Sequence, residues 1–286
     1  MDCQICGGKG SETFVKNGFV ILRCINCNHY FVDLKITTEK VYEIYSDSYF
    51  NGGGEGYPDY LLEEEMLIKR GEYYAKKISR FICSGRILDV GAAAGFILKG
   101  FENMGWRGVG IEPNAKMVEY GKKSLKVDLR QGTLETARMD SKFDLIVMIQ
   151  VIAHLADLNS SILNLSDILD EHGFVLIETW DRNSLTAKLF GRNWHEYSPP
   201  STLNFFNKRT LDELLESYNY RRISSGRPQK KIVSNHAKSL IKYKMENAGF
   251  LKYFSWVVNL IPDNVYLPYP AEDLFWALYQ KSNTHC

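Results

Sequence analysis

Two cysteine pairs stand near the start of the 286-residue chain, Cys3-x-x-Cys6 and Cys24-x-x-Cys27, with 17 residues between them. Two thiolates three apart on a tight turn can reach one ion, and two such knuckles complete a tetrahedral S4 shell suited to a structural Zn²⁺. Gly7 and Gly8 follow the first knuckle, and FVKNGFVILR (14–23) reads as a β-hairpin about Asn17-Gly18. So short a stretch cannot build its own core, and the metal would supply its folding energy. The rivals are an iron–sulfur cluster and a redox dithiol, which would need only one pair. Four sulfurs close the shell, leaving no open position for catalysis by the metal. His29, two residues past Cys27, could substitute as a ligand, although a solvated loop histidine is the plainer reading; Cys83 and Cys286 read as unrelated.

A second constellation begins at Asp89-Val-Gly91-Ala-Ala-Ala-Gly95. A glycine-rich turn after a strand lets a ligand lie against the backbone and meet the next helix's N-terminus. A dinucleotide fingerprint needs a further glycine five residues after the first. That position is Phe96, which would obstruct it, so NAD-dependent redox chemistry is disfavoured. Glu112 follows Asp89 by 23 residues and ends the next apolar run, where a carboxylate can accept both hydroxyls of a ribose.

The elements that must position these groups follow from periodicity. Helices are expected over about 38–45 and 60–82, separated by a Gly-rich loop carrying Tyr49, Tyr57 and Tyr60. From residue 86 strands and helices alternate: strands 86–91, 107–112, 126–130, 143–149 and 174–180, with helices to about Gly105, from Pro113, and over 157–171. FDLIVMI (143–149) is continuously apolar, as a strand covered on both faces should be. Helix 210–217, strand 220–226 and DLFWALYQK (273–281), the last as an antiparallel member, complete a doubly wound, Rossmann-like α/β sheet of seven strands.

Composition is that of an ordinary folded chain, with 45% apolar and 24% charged residues, which excludes disorder, collagen and coiled coil. Thirty-five basic and 34 acidic side chains leave a formal charge of +1, so the chain as a whole is not a polyanion binder. No run approaches the roughly 18 apolar residues of a membrane span. MDCQICGGKG lacks a signal-peptide core, so a cytoplasmic location with reduced thiols is expected.

The motifs, taken in order, resemble those of the class I S-adenosylmethionine-dependent methyltransferases. LDVGAAAGFIL (88–98) is similar to the first motif, GIEP (110–113) to the acidic second, and Gly132-Thr-Leu-Glu135 to the adenine-contacting turn. FDLIVMIQVIAHL (143–155) resembles the fourth-strand motif and GFVLIETW (173–180) the fifth strand. The resemblance spans about residues 60–227. It implies that Gly91, Ala92 and Gly95 let the backbone lie against the methionine portion of S-adenosylmethionine, with Asp89 orienting the turn. It implies Glu112 and Pro113 at the ribose, Thr133 and Leu134 at the adenine, and Gln150 at the sulfonium end, with Tyr57 joining from the loop. S-adenosylhomocysteine would be the product. Two departures stand out, Ala93 where the family usually has glycine and Thr133 where it often has aspartate; neither adds enough bulk to fill the pocket.

Methyl transfer from a sulfonium is an in-line displacement that demands positioning and exclusion of water. A hydroxyl or carbon acceptor also needs a base, and His154, His195 and Tyr197 are the candidate catalytic residues. His195 and Tyr197 belong to GRNWHEYSPPSTLNFF (191–206), read as a rigid aromatic wall over the cofactor's edge. This segment and the N-terminal ribbon resemble a bacterial subgroup that modifies natural products, polysaccharides and lipids. That subgroup often carries a histidine where this chain has Thr202.

The expected domains are a zinc ribbon (1–36), a helical cap with the Gly/Tyr loop (37–84), and the methyltransferase domain (85–286), in which 227–272 is an inserted helical lid with an apolar stripe from Val233 to Ala248. Residues 220–252 hold nine Lys or Arg and one acid, Glu246. That asymmetry suits a phosphate-bearing acceptor, an anionic membrane surface touched peripherally, or RNA, beside the plainer reading of a solvated lysine face. Three functions compete: a methyltransferase of a small-molecule or carrier-linked acceptor, an RNA methyltransferase using ribbon and insertion, and a non-catalytic cofactor-binding protein. Nucleic acid is the less favoured partner, because no RNA-binding module is visible. The sequence is silent on oligomeric state.

Overall fold

Asn17 and Gly18 adopt positive φ, +50° and +82°, the pair of left-handed residues that a tight hairpin turn requires. They join β1 (Gly10–Lys16) to β2 (Phe19–Cys24) in a computed structural model that describes residues 1–50, 60–136, 139–228, 230–233, 266–269 and 272–282. β2 pairs with β3 (Tyr30–Val32), and β3 pairs in turn with β9 (Asn204–Phe205). The N-terminal sheet is therefore completed by a strand from the 191–206 segment, some 170 residues downstream.

The principal sheet has seven strands in the order β10-β13-β8-β7-β4-β5-β6: β4 (Arg86–Val90), β5 (Arg107–Glu112), β6 (Leu129–Gln131), β7 (Phe143–Ile149), β8 (Leu169–Trp180), β10 (Tyr220–Gly226) and β13 (Leu274–Lys281). β13 runs antiparallel to both neighbours, and the pairs from β8 through β6 are parallel. This is the expected mixed sheet with its last strand reversed. Both faces are covered. Leu145 and Val147 of β7 enter one apolar layer with α3 (Glu64–Ile78) and α4 (Phe96–Asn103), while Ile146 and Met148 enter the other with α6 (Leu158–Ile168) and α8 (Lys208–Glu216). That two-sided burial is why β7 is apolar without alternation.

Several boundaries differ from the periodic pattern. The strand expected at 126–130 begins at Leu129, because a π-helical turn over Gly121–Leu125 ends with Lys126 at φ +58°. The helix expected over 157–171 ends at Ile168: Leu169 already pairs with Phe143, and a register shift lets residues 170–173 bulge before Phe174 meets Leu145. The helix expected from Pro113 starts as α5 (Ala115–Tyr120), capped by Asn114, whose side chain accepts from the Met117 N–H. The helix expected over 60–82 is a 3₁₀ turn, Tyr60–Glu63, leading into α3.

Arg227–Glu272 forms a unit of its own. Its described part is an antiparallel pairing of β11 (Lys230–Val233) with β12 (Tyr266–Tyr269) and an ion pair between Arg227 and Glu272 at 3.7 Å. Val233, expected on a helical stripe, instead ends a strand opposite Tyr266. The remainder of that stripe and Glu246 lie outside the described residues, as does Cys286. Among the described residues no helix is long and apolar enough to cross a membrane.

Candidate active site

At the tip of β4 the chain reverses through Gly91-Ala-Ala-Ala-Gly95, and the N–H groups of Gly91 and Ala92 donate to the Ile111 carbonyl at 2.9 and 3.0 Å. Gly91 has φ +67°, and a Cβ there would come within 2.6 Å of a Val151 methyl. Left-handed backbone and lack of room both call for glycine. Ala93, the departure from the usual glycine, sits at φ +47°. What the turn uses there is the amide, which donates to Glu112 Oε2 at 2.9 Å. The Asn114 N–H donates to Oε1 at 2.9 Å. Glu112 is only 3% exposed, and burial pushes its carboxyl up to about 7, against the pull of those two N–H groups. Asp89 is also buried, and burial pushes it up to about 8; its Oδ2 has no hydrogen-bond partner among the described residues.

These strand tips floor a cleft of about 850 Å³, counted out to bulk solvent. Of the residues proposed from the sequence for catalysis or cofactor binding, seven line it: Gly91, Glu112, Pro113, Thr133, Leu134, Gln150 and His154. Asp89, Ala92 and Gly95 are not in its wall. Tyr57 lies outside the described residues. The donor set fits a nucleoside that carries an amino-acid tail. A buried carboxylate is available for vicinal hydroxyls, apolar Ile111, Leu134 and Leu155 for a base, and a side-chain-free backbone at Gly91 for the tail.

The opposite wall was only partly visible in the sequence. It comes from α1 (Thr38–Ile44), α2 (Asp47–Phe50) and the turn after the Gly/Tyr loop, through Val41, Tyr45, Tyr49, Phe50 and Tyr60. Tyr45 meets Tyr49 edge-on at 5.0 Å, and Phe50 meets Tyr60 at 5.6 Å. The cap is tied down where Asn114 Nδ2 donates to the Tyr45 carbonyl at 3.0 Å. A buried polar cluster without local sequence signal lies beneath. Glu178, at the end of β8, accepts from the Arg70 guanidinium and the Tyr74 hydroxyl of α3.

His154 follows β7 on a single 3₁₀ turn, Ile152–His154. Its Nδ1 donates to the Ser201 carbonyl at 2.7 Å, and that carbonyl also accepts the Tyr45 hydroxyl at 3.0 Å. Fixing the proton on Nδ1 makes Nε2 the basic nitrogen of the neutral ring. Burial holds the imidazole below its usual 6.5, with the carbonyls of Ser201 and Gln150 opposing the fall.

The 191–206 segment differs from the aromatic acceptor wall expected of it. Tyr197 is buried in an apolar cluster with Ile21, Val32, Trp194 and Phe205, its ring 4.7 Å from Phe205 and 5.0 Å from Phe14, and burial pushes its hydroxyl up to about 12. His195 is exposed and lies edge-on to Trp180 at 4.6 Å. Neither residue lines the cleft. The segment's aromatic rings instead glue the N-terminal sheet to the large domain. Its contribution at the cleft is the Ser201 carbonyl.

Cys3, Cys6, Cys24 and Cys27 bring their sulfurs within 4.8 Å of one another, which fits one tetrahedral metal ion. Burial pushes the Cys3 thiol up to about 11, a cost that coordination of the thiolate would offset. His29 is not in the cluster, and it is not solvated. It is fully buried, stacked on Phe31, and its Nε2 donates to Asn204 Oδ1 at 3.3 Å; burial pushes it down to about 4. Cys83 is exposed and also lies outside the cluster. The first knuckle is bolted to the loop after β7 through Gln4, which donates to the Ala156 carbonyl at 3.2 Å and accepts the Leu158 N–H at 2.7 Å.

A seven-stranded sheet in this order, with a cleft over the tips of its first strands, is the fold shared with solved SAM-dependent methyltransferases. The chain belongs to the methyltransferase domain family, whose model matches residues 66–225. A ubiquinone biosynthesis O-methyltransferase of Rickettsia prowazekii is 29% identical over 205 residues, 65% of this chain and 77% of the relative. Among solved structures, a SAM-dependent methyltransferase of Thermotoga maritima superposes with a TM-score of 0.50 at 15% identity, covering 78% of this chain and 93% of that one. Magnesium protoporphyrin IX methyltransferase of Synechocystis, with bound SAH, also has a TM-score of 0.50, at 11% identity and covering 82% and 94%.

Proposed function

We propose that the chain transfers a methyl group to a hydroxyl on a small aromatic acceptor, with His154 as the base. The observation that carries this reading is the hydrogen bond from His154 Nδ1 to the Ser201 carbonyl, made in the wall of the cleft that also holds Glu112 and Gly91. S-adenosylmethionine, when bound, supplies a methyl group on a positively charged sulfur. Glu112 receives the ribose hydroxyls on carboxylate lone pairs left over from the Ala93 and Asn114 amides. Thr133 and Leu134 border the adenine, and the Gly91–Gly95 turn and Gln150 receive the amino-acid end. Tyr45, Tyr49, Phe50 and Tyr60 line the same cleft and offer aromatic surface against which a flat ring would pack. His154 Nε2 would accept the proton of the acceptor hydroxyl, and the Ser201 carbonyl on Nδ1 would stabilise the imidazolium that results.

The relatives' names, which specify O-methylation in ubiquinone biosynthesis, support a hydroxyl acceptor over an amine. Cys3, Cys6, Cys24 and Cys27 would hold one structural zinc, closing its shell with four sulfurs and leaving the chemistry to the cleft. The test compares wild type with His154→Gln. Calorimetry should give S-adenosylhomocysteine dissociation constants within about threefold of each other, while methyl transfer to catechol falls by about 10²–10⁴ in the variant. Wild-type protein that does not bind S-adenosylhomocysteine, or a variant that transfers methyl at the wild-type rate, would overturn the reading.

A further inference from the structure

A second hollow adjoins the cleft on the far side of α1. It measures about 700 Å³ out to bulk solvent and is walled by Asn17 and Phe19 of the β1–β2 hairpin, Ile44 and Tyr49 of the cap, and Pro200 and Ser201. Three features set it directly against the cleft. Tyr49 lines both spaces. Ser201 lines the hollow while its carbonyl fixes His154 in the cleft. On α1 and the residue that caps it, Val41 and Tyr45 face the cleft whereas Ile44 faces the hollow, so one helical turn is the partition. The hairpin is held in place where Asn17 Nδ2 donates to the Pro199 carbonyl at 3.2 Å.

The lining is uncharged: among the described residues it includes no Lys, Arg, Asp or Glu. A phosphate or carboxylate entering it would lose hydration without meeting a counter-charge, whereas an apolar group would leave water for Phe19, Ile44 and the prolines. We infer that this hollow is the outer subsite for the acceptor and takes an uncharged, mainly apolar substituent on the ring. The cysteine-bearing N-terminal sheet is then a substrate-recognition element, which the matched family region, starting at residue 66, does not contain. The inference rests on the acceptor reading above, and it runs against a phosphate-bearing acceptor at this position.

Catechol and 4-hexylcatechol are the probes, titrated into the full chain saturated with S-adenosylhomocysteine. Wild type should bind the hexyl compound at least tenfold more tightly than catechol. Phe19→Ala should reduce that advantage to threefold or less. Ser48→Asp, at an exposed position in the lining of the hollow, should do the same, and both variants should keep the wild-type affinities for catechol and S-adenosylhomocysteine. Equal affinity for the two probes, no binding of the hexyl probe, or an advantage that survives both substitutions overturns the subsite while S-adenosylhomocysteine binding still stands. Loss of S-adenosylhomocysteine binding by wild type overturns the cleft reading as well.

Discussion

Gln150 and Glu178 are joined twice across the tips of β7 and β8. The Gln150 backbone N–H donates to the Glu178 carbonyl at 2.8 Å, and its side-chain amide donates to the Glu178 carboxylate at 3.0 Å. Gln150 adopts φ +61°, a left-handed conformation that costs a residue with a side chain about 1–2 kcal/mol and persists only where its surroundings hold it. Glu178 is fully buried and is held from below by Arg70 and Tyr74. Helix α3, which precedes the first strand of the sheet, thus fixes a residue in the wall of the cleft.

Breaking that cluster should therefore reach the cofactor. Glu178→Ala removes the carboxylate from a buried ion pair and should lower unfolding stability by about 3 kcal/mol in urea titration, near the low end for such pairs because Arg70 keeps some contact with water. The milder Glu178→Gln should weaken S-adenosylhomocysteine binding severalfold in wild type but hardly at all in a Gln150→Ala background. Equal losses in the two backgrounds would mean that Glu178 acts on the fold and not through Gln150.

The raised carboxyl of Glu112 makes a pH prediction with a definite sign. Near pH 6 the free chain holds a mostly protonated Glu112, and acceptance of two ribose hydroxyls requires the ionised form. S-adenosylhomocysteine affinity should rise from pH 6 to pH 8, and calorimetry on Glu112→Gln should show a flat profile with affinity at least tenfold lower at pH 8. Stability of the free chain moves the other way. A carboxyl whose folded value lies above its unfolded one contributes stability below the unfolded value and loses it as pH rises through the folded one. For Glu112 and Asp89 that window ends near 7 and 8, so the midpoint of thermal unfolding without ligand should fall between pH 6 and pH 8.

How far the sequence could lead is set by whether the cause of a feature is local. The sheet was readable because FDLIVMI and LDVG carry their burial in their own composition, and Gly91 because no other residue tolerates its backbone beside Val151. Glu112 was readable from its distance to the glycine turn. The Arg70–Glu178 pair was not, since 108 residues separate its members. Trp194 and Tyr197 suggested a binding wall because aromatic rings beside prolines look alike whether they face a ligand or a core. Only the pairing of β3 with β9 decides between the two, by drawing those rings beneath the N-terminal sheet. His29 reads as a solvated loop residue for the same reason, whereas Asn204 and Phe206 close over it from far along the chain.

His154 predicts a pH effect of opposite sign on stability. Its imidazole, held below 6.5 by burial, stays neutral at pH 7, so kcat/KM for methyl transfer should rise to a plateau with a midpoint below pH 6.5. The unfolded chain takes up that proton first, so His154 contributes stability above pH 6.5 that is lost as pH falls through its folded value. Acid titration of wild type against His154→Gln should show the variant losing less stability between pH 7 and pH 5. Identical slopes would place no depressed histidine in the cleft.

The cysteine cluster predicts a metal whose removal is felt at the base without disturbing the nucleoside site. Four sulfurs within 4.8 Å of one another are a strained, repulsive set once ionised unless an ion sits among them, and structural zinc sites of this type commonly depend on the metal to fold. Elemental analysis should find about one zinc per chain, and Cys24→Ser should abolish it and open residues 1–36 to limited proteolysis. Cys24 is buried at the end of β2, whose hairpin reaches Pro199 through Asn17, two residues before the carbonyl that orients His154. Among the described residues Glu112 and Gly91 hydrogen-bond to Ala93, Asn114, Gly132 and Ile111, none of them in the ribbon. Metal loss should therefore lower methyl transfer tenfold or more while leaving the S-adenosylhomocysteine dissociation constant within about threefold of wild type. A Cys24→Ser protein that keeps its zinc, or one that loses cofactor binding and transfer in equal measure, would show that the ribbon and the base are not coupled in this way.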